Sequence, residues 1–327
     1  MRRGKKEGWK LSAGEWADAQ GKVLSVCHPD WRGVRTAAYS QRGPVLETSE
    51  AAAHATDIID GMAQTDMSVL VLQGFPPRSS ELLRAAHNGG LSTRVVLHSS
   101  MAQHGVDPGE AAVVEAVLGL ADEGVVERVG FVKKGQAEAF TALGHAAHYV
   151  PNRTPQLPPF EPVSLGGSGL QVGVFVEPMW RKNLTTQLGA IALMPSARAH
   201  VMAMPGNAYL SNLEVVEHGE LPYAEFVQLQ GSVDLNLYVS LSECHPMSPL
   251  ESYLAGVPCL MSRTSDLFRS DDDLWQLASV GEIDDPSAIA AAAAELLANQ
   301  VEAVERARTW MDRFDPIAQS LWEDFVG

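Results

Sequence analysis

Two glutamates, Glu243 and Glu251, stand on either side of a short polar turn with seven residues between them, after an apolar run and before a helix-start pattern. Ser248-Pro249-Leu250-Glu251 fits a capping box, with serine at the N-cap, proline at N1 and glutamate at N3. That pattern by itself gives Glu251 a structural reading. A helix start that follows a parallel strand also presents N–H groups without intrahelical partners and a partial positive charge, which suits a phosphate. Carboxylates beside a phosphate repel it, so Glu243 and Glu251 suit hydroxyls instead, and the stretch as a whole suits a phosphorylated, hydroxyl-rich ligand.

Such a ligand also needs a cation. Arg181 and Lys182, in the turn PMWRKN after the apolar segment 169–177, fall at the same edge. A solvated loop charge is the plain reading. The chemical one is a lysine point charge that stabilises a departing diphosphate, a role whose loss costs about two to three orders of magnitude in rate. Two further candidates lie earlier in the chain. Gly33, between the strand 22–27 and a helix, allows a backbone to approach a ligand, as ordinary tight turns also do. His98 closes the strand 93–98, where a histidine serves either as a backbone-bonded structural residue or as a ligand contact.

These residues need elements to position them, and the pattern supplies strands separated by helices throughout. In the first half, strands at 22–27, 68–73, 93–98, 125–132 and one ending at 150 alternate with helices at 49–62, 79–87, 108–123 and 136–143, with SSMAQHG as a loop. Alternation at this spacing gives parallel βαβ units and a doubly wound sheet, whose ligands bind beyond the carboxyl ends of the strands, where His28, Gly33, Gly74 and His98 fall. From 151 to 168 the pattern stops in a run holding five prolines and two glycines, a domain linker. It then restarts with strands at 169–177 and 199–204, helices at 184–193 and 223–230, the strand–turn–helix around Glu243, and a second apolar strand after Gly256. Asp285 before Pro286 opens a long helical region that holds Trp310, Phe314, Trp322 and Phe325, more apolar surface than one exposed helix needs.

The domain reading is therefore a basic polar tail at 1–20, a first Rossmann-like domain at 21–150, the linker, a second domain at 169–305, and a helical segment at 306–327 that bridges to the first. A chain of 327 residues is long enough for two domains. The formal net charge is -16, with 15 Lys+Arg against 17 Asp+Glu through residue 150 and 9 against 23 after it. The acidity thus belongs to the second half, and because the first half is nearly neutral the total charge weakens nucleic acid and membranes as partners without excluding them. No apolar run reaches the roughly 18 residues of a membrane span. A secretory leader is not indicated, and the three widely spaced cysteines Cys27, Cys244 and Cys259 argue against a disulfide framework or zinc site, so the expectation is a cytoplasmic protein.

Glu243 to Glu251 resembles the E-x7-E motif of retaining glycosyltransferases of the GT-B fold, the group 1 or family four type. SLSECHPMSPLESYLAGVPCLMS resembles that family's strand, turn, helix and strand; GVFVEPMWRKNL resembles its donor-phosphate turn; YVPNRTP resembles the segment entering its interdomain linker. The resemblance implies an α/β architecture of two Rossmann-like doubly wound domains facing across a cleft, with the C-terminal helix packing back on the first. It implies transfer of a sugar from a nucleoside-diphosphate sugar, UDP-linked, to a hydroxyl acceptor with retention, without metal or cofactor. Glu243 is then implied to contact the donor sugar, Glu251 the ribose, Lys182 the diphosphate, and the backbone of Cys244, His245, Pro246 and Met247, with Ser248, the sugar and phosphates; His98 resembles a histidine near the donor sugar. Two departures stand out: the glycine-rich turn is Cys-His-Pro-Met here, and the arginine five residues before the lysine is Glu177, so Arg181 is the candidate substitute. The acceptor is a glycan, a small hydroxylated molecule or a modified base in DNA. Competing readings are a nucleotide-sugar 2-epimerase on the same fold and a non-catalytic carbohydrate- or nucleotide-binding protein.

Overall fold

The computed structural model describes residues 22–206 and 208–327, so the basic tail lies outside the described residues. Two compact units emerge: one holds the chain up to Arg153 together with Pro316–Gly327, the other Thr154–Asp315. Each is built on a six-stranded parallel sheet.

In the first unit the strands are β1 (Val23–Cys27), β2 (Val45–Glu47), β3 (Val69–Gln73), β4 (Ser92–Leu97), β5 (Arg128–Phe131) and β6 (Ala147–Tyr149), in the order β2-β1-β3-β4-β5-β6. Every residue of β3 is buried, as expected of a strand covered on both faces. Leu24, Leu70, Leu72, Val95 and Phe131 face a core closed by Ile58, Met62, Leu82, Leu83 and Val117 from the helices. Two elements escape the sequence pattern. β2 has three residues, too few to show a period, and the segment expected as a loop after His98 forms the helix Met101–Val106, whose Gln103 side chain accepts the Ser100 N–H at 3.0 Å.

The unit is completed by the end of the chain. The helix Gln300–Val326 delivers Phe325, 1% exposed, against β5, where Gly130 has no side chain to block it: a Cβ there would lie 3.2 Å from the Phe325 ring. Arg94 Nε donates to the Phe325 carbonyl at 2.7 Å. The C-terminal helix thus packs back on the first domain, as the sequence reading has it.

The second unit contains β7 (Gln171–Val174), β8 (Arg198–Val201), β9 (Val215–Glu217), β10 (Leu235–Tyr238), β11 (Cys259–Ser262) and β12 (Ser279–Val280), ordered β12-β11-β10-β7-β8-β9. Chain order reverses between β7 and β10, the place in such a sheet where ligands bind beyond the strand ends. Gly173 on β7 makes this junction tight, since a Cβ would fall 2.4 Å from Asn236 Oδ1 on β10. Asn236 in turn donates to Ser252 Oγ at 2.8 Å and fixes the helix Met247–Leu254 above the strand. The proline-rich segment is not a free tether: Leu157, Phe160 and Leu165 pack on the core of Phe175, Phe226, Val227 and Val257. The helix Pro286–Ala298 starts as its sequence predicts, with the Asp285 carboxylate accepting Ser287 N–H at 2.8 Å, and breaks from the following helix at Asn299.

Candidate functional site

The two strands that flank the reversal each supply one half of a charged cluster. After β7, Trp180–Lys182 form a three-residue 3-10 turn. Asn183 follows with φ 55, the left-handed region that asparagine tolerates better than most residues. Its side chain donates to the Val239 carbonyl at 3.1 Å and to the Ile283 carbonyl at 2.5 Å. Gln187 donates to the Lys182 carbonyl at 2.8 Å and accepts from Val239 N–H at 2.8 Å, while Leu241 N–H bonds the Arg181 carbonyl at 2.8 Å. The turn is thereby clamped to the segment after β10, and the two cannot shift independently.

That segment carries Glu243. Lys182 Nζ lies 2.5 Å and Arg181 Nη1 3.2 Å from the same oxygen, Glu243 Oε1. The Lys182 ammonium also donates to the phenolic oxygen of Tyr238, the last residue of β10, and sits 4.6 Å from the centre of its ring. The cluster is largely removed from water, with Glu243 at 9% and Lys182 at 12% side-chain exposure. Burial alone would push the Glu243 carboxyl up, but Lys182 and Arg181 outweigh it and hold it below the usual carboxylate range. Burial pulls the Lys182 ammonium below the usual lysine range, with Glu243 opposing. Two cations thus share one carboxylate oxygen, and Glu177 is a further acidic group that acts on Lys182.

Glu251 does not cap its helix. The helix opens at Met247 with Pro246 at the N-cap and no side-chain cap, so the expected capping box is corrected: Ser248 and Pro249 are already inside the first turn, where a missing N–H is harmless. Glu251 is 2% exposed and accepts the Tyr223 hydroxyl at 2.9 Å. Gln230 donates to the Ser248 carbonyl at 2.8 Å.

The Cys-His-Pro-Met turn departs from a glycine-rich one by turning its side chains inward. Cys244, His245 and Met247 are buried. His245 stacks on Phe314 with ring centres 5.4 Å apart, Phe314 stacks on Trp310 at 4.4 Å, and Trp310 meets Phe268, which meets Tyr253. The turn is thus anchored on an aromatic ladder, with its side chains buried. Glu177 is exposed at the start of the clamped turn, and Arg181 is the cation beside Lys182.

At the edge of the first sheet, His98 Nε2 lies 3.0 Å from Gln73 Oε1. Burial lowers His98 to about 4, so it is neutral at pH 7. A carbonyl oxygen only accepts, which makes Nε2–H the donor and leaves Nδ1 as an acceptor. Gly33 is the second residue of the helix Arg32–Ser40, and a Cβ at that position would meet open space, so nothing within the unit demands glycine there. Tyr238, Tyr223, Asn183, Gln187 and Gln73 escape the sequence reading. Asn183 carries a signal in its left-handed preference directly after two cations; the others read as ordinary strand or helix residues.

Among the described residues no three His, Cys, Asp or Glu side chains converge in a way that could hold a metal ion, and no helix is long and apolar enough to cross a membrane. No family model and no curated protein sequence matches the chain. Solved structures match it in fold. Sucrose-phosphate synthase from Thermosynechococcus elongatus aligns with a TM-score of 0.60 at 15% identity over 86% of this chain and 79% of that one. An α,α-trehalose-phosphate synthase (UDP-forming) from Burkholderia xenovorans, solved with glucose-6-phosphate, aligns with 0.62 at 12% identity over 93% and 98%. HepE of Anabaena, solved with UDP and glucose, aligns with 0.60 at 13% over 92% and 99%. The chain therefore has the GT-B fold of these glycosyltransferases.

Proposed function

We propose that this chain is a glycosyltransferase that moves a sugar from a nucleoside-diphosphate sugar, UDP-linked, to a hydroxyl acceptor with retention. The observation that supports it best is the Lys182–Glu243–Arg181 cluster at the β7/β10 reversal, where two cations from one clamped turn meet on one carboxylate oxygen. A diphosphate needs those cations as its bond to the sugar breaks and its negative charge grows; their fixed, partly dehydrated position favours the transition state over the bound donor. Arg181 provides the charge that Glu177 does not. When a diphosphate enters, Glu243 is repelled from the cations and serves the sugar hydroxyls as an ionised acceptor. Glu251, held by Tyr223, serves the ribose hydroxyls, and Ser248 with the backbone of the Cys-His-Pro-Met turn contributes the remaining contacts.

The first unit takes the acceptor, with neutral His98 placed as an acceptor of hydrogen bonds. A glycan or small polyhydroxylated molecule fits, as does a modified base in DNA. UDP, GDP and ADP sugars are incubated with wild type, Lys182→Ala and Glu251→Ala, and nucleoside diphosphate release is measured. Release by wild type, with Lys182→Ala slower by about two to three orders of magnitude, is expected. An enzyme that neither binds nor cleaves any nucleotide sugar sinks the proposal, and mass-neutral isomerisation of the donor without acceptor replaces it with an epimerase. The anomeric configuration of the product, read by proton NMR, tests retention.

A further inference from the structure

The Lys182 ammonium is held by two acceptors of different character, the Glu243 carboxylate and the Tyr238 phenol. We infer that Tyr238 is the positioning residue that keeps Lys182 in place on the diphosphate after Glu243 has been displaced. The inference rests on the nucleotide-sugar reading and deepens it.

The two acceptors differ in how they meet an incoming anion. Glu243 is ionised and shares its oxygen with Arg181 and Lys182, so a diphosphate approaching those cations repels the carboxylate at close range. Tyr238 is neutral and feels no such repulsion. An ammonium has only donors, so the phenolic oxygen accepts from Lys182 and its own hydrogen points elsewhere. Tyr238 is also fixed from below, as the last residue of β10, paired with Met261 of β11, and buried. Lys182, by contrast, rides on a flexible four-carbon stem. Without the phenol, displacement of Glu243 would leave the ammonium with no fixed acceptor, and the diphosphate would have to order it. The arrangement divides the work: Glu243 is the exchangeable partner that keeps Lys182 satisfied in the empty site, and Tyr238 is the constant one.

Tyr238→Phe removes one oxygen from a buried ring and leaves the Lys182–Glu243 pair, so the unfolding midpoint should stay near wild type. UDP and uridine are titrated into wild type, Tyr238→Phe, Lys182→Ala and the double variant. UDP affinity of Tyr238→Phe is expected to fall by about tenfold or more, the range for a hydrogen bond to a charged group, with uridine affinity unchanged. In the Lys182→Ala background the same substitution should add nothing. The phenol favours the charged ammonium, so the variant should also lose UDP at lower pH than wild type on the alkaline limb, while Glu243, Arg181 and Glu177 bear on that ammonium in both proteins. A wild type that binds UDP beside a Tyr238→Phe variant of equal affinity overturns this inference alone. So does a loss that persists without Lys182. A wild type that binds no nucleoside diphosphate overturns this inference and the proposed function together.

Discussion

The two sheets solve the same geometric problem with opposite electrostatics. Both are parallel and six-stranded, and both place their candidate residues past the carboxyl ends of strands. Their strand orders differ: the second has the 3-2-1-4-5-6 order of dinucleotide-binding sheets when its own strands are counted from one, the first the 2-1-3-4-5-6 order of flavodoxin-like ones. In the second unit the edge holds a dehydrated charge cluster drawn from both sides of the reversal. In the first, His98 is stripped of charge by burial and oriented by a neutral amide. Under the proposed function, the first of these edges would stabilise charge that appears during reaction, and the other would orient a neutral hydroxyl without adding charge.

The largest effect that could break this contrast is at Lys182. Lys182→Ala should slow transfer by about two to three orders of magnitude and also cost on the order of 3 kcal/mol of stability, because it leaves the buried Glu243 carboxylate short of a partner. Replacing both, Lys182→Met with Glu243→Leu, should recover most of the stability by denaturant titration while leaving transfer abolished. If the double replacement restores turnover as well, the cluster is scaffolding and the contrast between the two edges fails.

A mid-sized effect is expected at His98. Its folded pKa of about 4 lies below the ordinary histidine value of 6.5, so the unfolded chain binds more protons between those limits. Stability from this group is complete above about pH 6.5 and is lost as pH falls toward and through 4, on the order of 3 kcal/mol in all. Urea titrations across that range should show a steeper acid loss for wild type than for His98→Gln. Equal slopes would mean that the histidine is not held neutral. For the same reason transfer should show no inflection near pH 6.5 from His98, whereas Gln73→Glu, which puts a carboxylate on Nε2, should introduce one by raising the pKa.

Smallest is the expected effect at the turn. His245→Ala removes one rung of the aromatic ladder and should cost about 0.5–1.5 kcal/mol of stability, with His245→Phe close to wild type. A phenylalanine variant as poor as the alanine one would show that stacking is not what the ring provides.

Much of this architecture was legible in the chain because parallel strands announce themselves as apolar runs between helices. VLVLQ and the run into Tyr238 needed no more than burial on both faces. The edge strands β2, β9 and β12 were not legible, since two or three residues carry no period and their pairing is decided by the neighbouring strand. Lys182 and Glu243 could be placed at one ligand site because each follows a strand that a doubly wound sheet places at one edge, but their direct pairing could not be read. Tyr238 could not, because a tyrosine that ends a strand looks like any other apolar strand residue until the lysine arrives from 56 positions away. The capping box failed for a related reason. Ser248 and Glu251 have the right spacing, but Tyr223 competes for the carboxylate and the helix begins earlier, at Met247.

The placement of Phe325 bears on the order in which the chain can mature. Proteins are made from the amino terminus, and a domain is usually free to fold as soon as its last residue leaves the ribosome. Here the first sheet is laid down early, yet the ring that covers Gly130 and the carbonyl that satisfies Arg94 belong to residues synthesised only after the whole of Thr154–Asp315. Thr154–Asp315 is contiguous and can close its core while the earlier unit still waits for its last helix. The second unit is therefore able to finish first, and a chain cut short before residue 316 would have its later-made unit complete and its earlier-made unit without its last helix.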